Sequence, residues 1–124
     1  MRYNNIIENK YYIECLNKIN EFELNRKFCR HDINHFLDVA RIAYIINLEK
    51  NYSISKDIIY AAALLHDIGR CSEYEKNIPH EKASAEIAEN ILKECGYTEK
   101  EQETIKQNGT RFIRRNRTLS QNRK

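Results

Sequence analysis

Breakers are scarce in this chain. Glycine occurs 3 times and proline once in 124 residues. So few interruptions over that length argue against a β-sandwich or barrel, which needs many turns, and for helices joined by short connections. No apolar run approaches the roughly 18–20 residues of a membrane span, and the first residues, Met1 to Asn5, contain no signal-peptide core. The four cysteines, Cys15, Cys29, Cys71 and Cys95, form no CxxC pair, which excludes a zinc ribbon or a thioredoxin-type motif. Without an export signal they read as reduced thiols, and the expected location is cytoplasmic, with no membrane partner.

Aspartate is also unevenly supplied. It stands at positions 32, 38, 57 and 67 and nowhere later. Acid of either kind is missing from residues 111–124, which hold six bases: Arg111, Arg114, Arg115, Arg117, Arg123 and Lys124. Removing those six leaves 15 basic against 18 acidic residues, so the net charge of +3 hides a mildly acidic body and a basic tail. With only Phe112, Ile113 and Leu119 large and apolar after residue 107, the tail is expected to fray or to be disordered. It carries one aromatic and no stacking pattern, so nucleic acid is not the expected partner.

What is present is helical periodicity. The spacing predicts an all-α domain of about five helices over residues 1–107, with 108–124 as the tail. The first helix runs from Asn4 to about Leu24, with Ile6, Ile7, Tyr11, Ile13, Leu16 and Ile19 facing inward. The second runs from about Asp32, its N-cap, to Lys50, with an apolar stripe of His35, Val39, Ile42 and Ile46 widened by Phe36, Ala40 and Ala43. A third spans Lys56 to Ile68, capped by Ser55 and ended by Gly69. Residues 70–79 read as a polar loop closed by Pro79. A fourth helix covers Glu81 to Cys95 with Gly96 as its stop. The capping box Thr98-Glu-Lys-Glu101 starts a fifth, which contains Ile105 and fails near Asn108-Gly109.

The chemistry concentrates in four places: His35 on the apolar face of the second helix, the pair His66-Asp67 at the end of the third, Arg70 just beyond, and His80 at the start of the fourth. Imidazole and carboxylate are natural ligands for a divalent ion. Neighbours on a helix diverge by about 100°, yet at a helix end two adjacent side chains can converge on one ion, and His35 from an antiparallel neighbour would supply a third donor. Taken singly these residues have ordinary readings. A histidine on an apolar face is more often a satisfied core residue than a ligand, His80 is a plain helix-start residue, and Arg70 is as well suited to a surface carboxylate. His31, one turn before His35, shares its face only if that helix begins earlier.

The segments NHFLDVAR (34–41), AAALLHDIGR (61–70) and PHEKASAE (79–86) together resemble the HD-domain superfamily of metal-dependent phosphohydrolases, over roughly residues 30–95. The resemblance implies His35, His66 and Asp67 as metal ligands. It implies His80 as a residue over the site that touches substrate or a second metal, and Arg70 as a phosphate donor. The activity implied is metal-assisted hydrolysis of a small phosphomonoester or phosphodiester, in particular of a nucleotide, with Asp67, Arg70 and His80 at the reaction centre. The ion is one of Mn, Mg, Fe, Co, Ni or Zn. Two departures accompany it. The family's last Asp ligand, from a later helix, has no counterpart after Asp67, and position 70 is Arg rather than an acid. The change in charge and periodicity after Gln107 sets the expectation that the tail lies outside the family's pattern. The alternative is a catalytically degenerate domain used for interaction or ligand sensing, with a homodimer as one way to cover an exposed apolar face.

Overall fold

In a computed structural model, the structure describes residues 1–24 and 32–108, except the side chains of His80, Glu81 and Asn108. His31, Cys29 and the tail segment 109–124 lie outside the described residues. The described part is all-α: α1 (Tyr3–Glu8), α2 (Lys10–Phe22), α3 (Ile33–Lys50), α4 (Lys56–Leu65), α5 (Arg70–Lys76), α6 (His80–Glu94) and α7 (Glu99–Asn108).

α4 is the central element. Every residue from Ile58 to Leu65 is buried, and α1, α3 and α7 pack around it. Its three successive alanines, Ala61 to Ala63, let these neighbours approach on all sides, where larger side chains would hold them apart. The helix starts as expected, with the Ser55 hydroxyl accepting from the Ile58 N–H at 3.3 Å. α3 starts on Asp32, whose carboxylate accepts from the His35 N–H at 2.8 Å. The capping box opening α7 is closed from both sides: the Glu101 N–H donates to Thr98 Oγ1 at 3.2 Å, and Glu101 Oε1 accepts from the Thr98 N–H at 3.0 Å.

Four readings of the sequence change. The single first helix is two. Asn9 has extended backbone (φ −66°, ψ 129°), and its side chain accepts from the Tyr12 N–H. That break resets the helical phase, so Tyr12 and Cys15 join Ile19 in the core while Tyr11 and Ile13 are each 40% exposed. On α3 the buried stripe is Phe36, Val39, Ala40, Ala43 and Asn47, and Ile42 faces outward. Asn47 takes the inward place because its amide bonds both the N–H and the carbonyl of Ile54, at 3.1 and 2.9 Å, and so locks the α3–α4 turn. α4 stops at Leu65, three residues early, because Gly69 is right-handed (φ −67°) and heads the next helix rather than ending this one. Residues 70–76 are the helix α5, where a loop is expected from their polarity.

Candidate metal centre

The chemistry sits where α4 turns into α5. From Leu65 to Ser72 the backbone runs through successive three-residue turns, with Ile68 N–H to Leu65 O, Arg70 N–H to Asp67 O and Cys71 N–H to Ile68 O at 3.1–3.4 Å. Two side chains from other helices pin this corner. The buried Tyr12 hydroxyl of α2 donates to Leu64 O at 2.8 Å, which satisfies a carbonyl at the C-terminal end of α4. The buried Ser84 hydroxyl of α6 accepts from the Gly69 N–H at 2.7 Å. Neither role is visible in the spacing of the sequence, although Ser84 lies within the PHEKASAE segment.

The geometry of His66 decides what the corner can do. Its Nδ1 lies 2.6 Å from Ala63 O. A carbonyl only accepts, so Nδ1 carries the proton, and in the neutral ring Nε2 presents its lone pair. Nε2 is buried with no hydrogen-bond partner, 3.3 Å from Asp67 Oδ2. Both side chains are nearly inaccessible, 2% and 3% exposed. A lone pair facing a carboxylate oxygen at that distance is repulsive unless a positive charge stands between or beside them. One partial answer is present: Arg70 Nε, 3.7 Å from the same Oδ2, is also buried without a hydrogen-bond partner. Two buried nitrogens, His66 Nε2 and Arg70 Nε, therefore converge on one carboxylate oxygen without a hydrogen bond of their own. A nitrogen and an oxygen donor held this way fit a divalent cation, with the Ala63 carbonyl fixing the ring as an outer partner does in metal sites.

α3 delivers His35 to the same end of the bundle. The Phe36 ring lies 5.9 Å from the His35 ring and meets the His66 ring edge-on at 5.7 Å, so both imidazoles pack against it. His35 is half-buried. The assembled part of the site is His66 with Asp67 and Arg70. Among the described residues, no three His, Cys, Asp or Glu side chains gather closely enough to hold an ion, so His35 does not share a formed cage with the other two. His80 is the first residue of α6, and its side chain lies outside the described residues.

His66 also lines a cleft of about 660 Å³ between α4, α6 and α7. Its floor includes Ala62, Leu65 and Ile105, and its walls carry Glu86, Glu89, Glu99 and Glu103 against Lys93 and Lys106. Carboxylates outnumber ammonium groups there, so the approach to His66 favours cations over bare anions.

Residues 32–122 match the family model described as HD domain. The matched span extends into the basic segment after Gln107. The chain is 50% identical over 106 residues, 86% of its length, to an uncharacterized protein of Clostridium beijerinckii, 68% of which is covered. No solved structure matches the chain. No helix among the described residues is long and apolar enough to cross a membrane.

Proposed function

This chain belongs to the HD domain family, and from that premise we propose that it is a metal-dependent phosphohydrolase acting on a small phosphate ester, a nucleotide in particular. The observation that carries the reading is the buried His66 Nε2, without a hydrogen-bond partner and 3.3 Å from Asp67 Oδ2. His66 and Asp67 would hold the ion, with His35 as the third donor from α3. A bound divalent ion would supply an acidified water and polarise a phosphoryl oxygen. The protein's own part is placement and charge. Ala63 O keeps the His66 ring turned with Nε2 inward. Asp67 neutralises part of the cation's charge, and Arg70, already beside Asp67, has further N–H groups to direct at a phosphate. His80, at the start of α6, is assigned to substrate. The acidic cleft walls bear on order of binding: a phosphate ester approaches more readily once a cation has offset them.

A second reading has its own support. No three-donor group is formed among the described residues, and a degenerate domain that binds a ligand or a partner without turnover fits that fact.

Metal content separates the readings. Purified protein, offered Mn, Ni or Zn and measured by mass spectrometry, is expected to carry near-stoichiometric metal that His66→Ala loses. A screen of phosphomonoesters and phosphodiesters should then find turnover in the loaded protein. Absence of metal in both proteins would overturn the hydrolase reading, and bound metal without turnover of any ester would favour the degenerate one.

A further inference from the structure

α3 is apolar on two faces. The inner face, with Phe36, Val39, Ala40, Ala43 and Asn47, is buried, and it packs on α4. The outer face carries Ile42, Ile45 and Leu48, which are 39%, 53% and 59% exposed. A helix on the outside of a bundle ordinarily turns charge to water there. Single exposed aliphatic residues are common on protein surfaces. Three at every third position form a continuous stripe instead, and a stripe of that kind marks a contact surface.

Charges of opposite sign flank the two ends of the stripe. Arg41 stands one residue before Ile42 and Glu49 one residue after Leu48, and both are exposed. Arg41 pairs along the helix with Asp38, and a guanidinium has further N–H groups to donate. Glu49 has no base three or four residues away on either side, since Ile45, Ile46, Tyr52 and Ser53 hold those positions. Its own helix therefore offers it no ion pair at the usual spacing.

We propose that this stripe is the interface of a homodimer, in which α3 packs antiparallel on α3 of a second copy about a two-fold axis at Ile45.

The pattern is self-complementary. With the two helices running in opposite directions about that axis, Ile45 meets its own copy, Ile42 meets Leu48 and Arg41 meets Glu49. The two-fold makes each of the last two contacts twice. A parallel pair would set Arg41 against Arg41 and Glu49 against Glu49, so charge selects the antiparallel arrangement. From Arg41 to Glu49 the helix rises about 12 Å. One helix pair of that length buries less than the roughly 1,200–2,000 Å² of a standard interface, which places the dimer in the weak, concentration-dependent class. His35 lies toward the start of α3, so the two candidate metal centres would stand about 30 Å apart along the helix axis. Neither copy would complete the other's site.

Sedimentation equilibrium of the full-length chain tests this. It needs no metal or substrate, so its outcome is independent of the phosphohydrolase reading. Over a concentration series up to about 1 mM, the mass should climb from that of the 14.8 kDa chain toward twice that value. Ile45→Asp should stay monomeric throughout, with an unchanged circular dichroism spectrum, because the side chain it replaces lies outside the core. Arg41→Glu and Glu49→Arg should each weaken the dimer about ten-fold. The two together should restore it, because the exchanged charges again face each other. Cross-linking reads the axis, in a Cys29→Ser background where the other three cysteines are buried. Ile45→Cys should link to itself under mild oxidation, whereas Ile42→Cys should link only when mixed with Leu48→Cys. A chain that is monomeric at every concentration would overturn the proposal, and its stripe would then serve a different protein or another segment of the chain. A dimer that survives Ile45→Asp, or a charge exchange that fails to restore association, would overturn it as well.

Discussion

Single side chains hold the candidate site in shape, and their contributions are separable. Tyr12 reaches from α2 to Leu64 O, two residues before His66. Tyr12→Phe keeps the ring in the core and removes only the hydroxyl, leaving a buried carbonyl without that donor. Unfolding free energy should fall by about 1 kcal/mol in urea titration. Ser84→Ala removes the acceptor of the Gly69 N–H and should cost about 1–3 kcal/mol, because that group is left buried and unbonded. If the corner also positions the ligands, Ser84→Ala should weaken metal uptake more than Tyr12→Phe does. Equal loss of stability with unchanged metal affinity in both would confine the two hydroxyls to folding. At this scale the sequence was legible in residue types and opaque in partners. His66, Asp67 and Arg70 stand out from the chain alone, and the structure brings those three together. Tyr12 and Ser84 could not be read, because their bonds join residues 52 and 15 positions apart and leave no local pattern.

Helix ends were legible where a local cap writes them. Asp32, Ser55 and the Thr98–Glu101 box all act as their spacing indicates, because a cap is a contact between residues three apart. α5 was missed because RCSEYEK buries only Cys71; a single buried residue gives no stripe to detect. Gly69 misled because glycine is equally at home in right-handed backbone, where it stands here. Two left-handed helix ends can be tested against each other. Gly96 is left-handed (φ 88°), with the Tyr97 N–H returning to Leu92 O at 3.0 Å, the hydrogen bond of a helix-ending motif. A methyl group at Gly96 meets no atom within 4 Å, so Gly96→Ala is resisted by backbone strain alone and should lose about 1–2 kcal/mol. Asn51, left-handed at φ 56°, ends α3 in the same way, with the Tyr52 N–H bonded to Asn47 O at 3.1 Å. There glycine relieves the strain, so Asn51→Gly should be neutral or mildly stabilising. Thermal melts of the two variants should move apart. A Gly96→Ala protein that melts with the wild type would show that α6 does not depend on this ending.

The whole molecule is tied by a residue no motif contains. Arg2 stands at the N-cap of α1 and reaches three distant places. Its Nε donates to Asp57 Oδ2 in the first turn of α4 at 3.2 Å, and its Nη1 to Glu101 Oε1 of α7 at 2.8 Å. Its Nη2 donates to the other Glu101 oxygen. Nη1 also lies 3.3 Å from Gly96 O, and the guanidinium sits 4.3 Å over the Tyr97 ring. The first helix, the central helix and the last described helix thus share one cation. The hydrogen bond from Arg2, aided by the Thr98 N–H, holds the Glu101 carboxyl at about 2, down from an ordinary 4.5. The sign follows from that direction. Folding favours the ionised form, so the contribution is fully present above pH about 4.5 and is lost as pH falls through about 2. Glu101→Gln removes the charge but keeps the shape and a hydrogen-bonding capacity. At neutral pH it should lower stability by about 1 kcal/mol, near the upper end for an ion pair that water and salt still reach. Measured by denaturant titration across pH, the gap between wild type and variant should hold steady above pH about 4.5 and close toward pH about 2. Added salt should narrow it at neutral pH. A gap that persists undiminished to low pH would assign the effect to packing at Glu101 rather than to its charge. It would then be the Arg2 guanidinium over the Tyr97 ring, and not the ion pair with Glu101, that fastens the two ends of the described bundle.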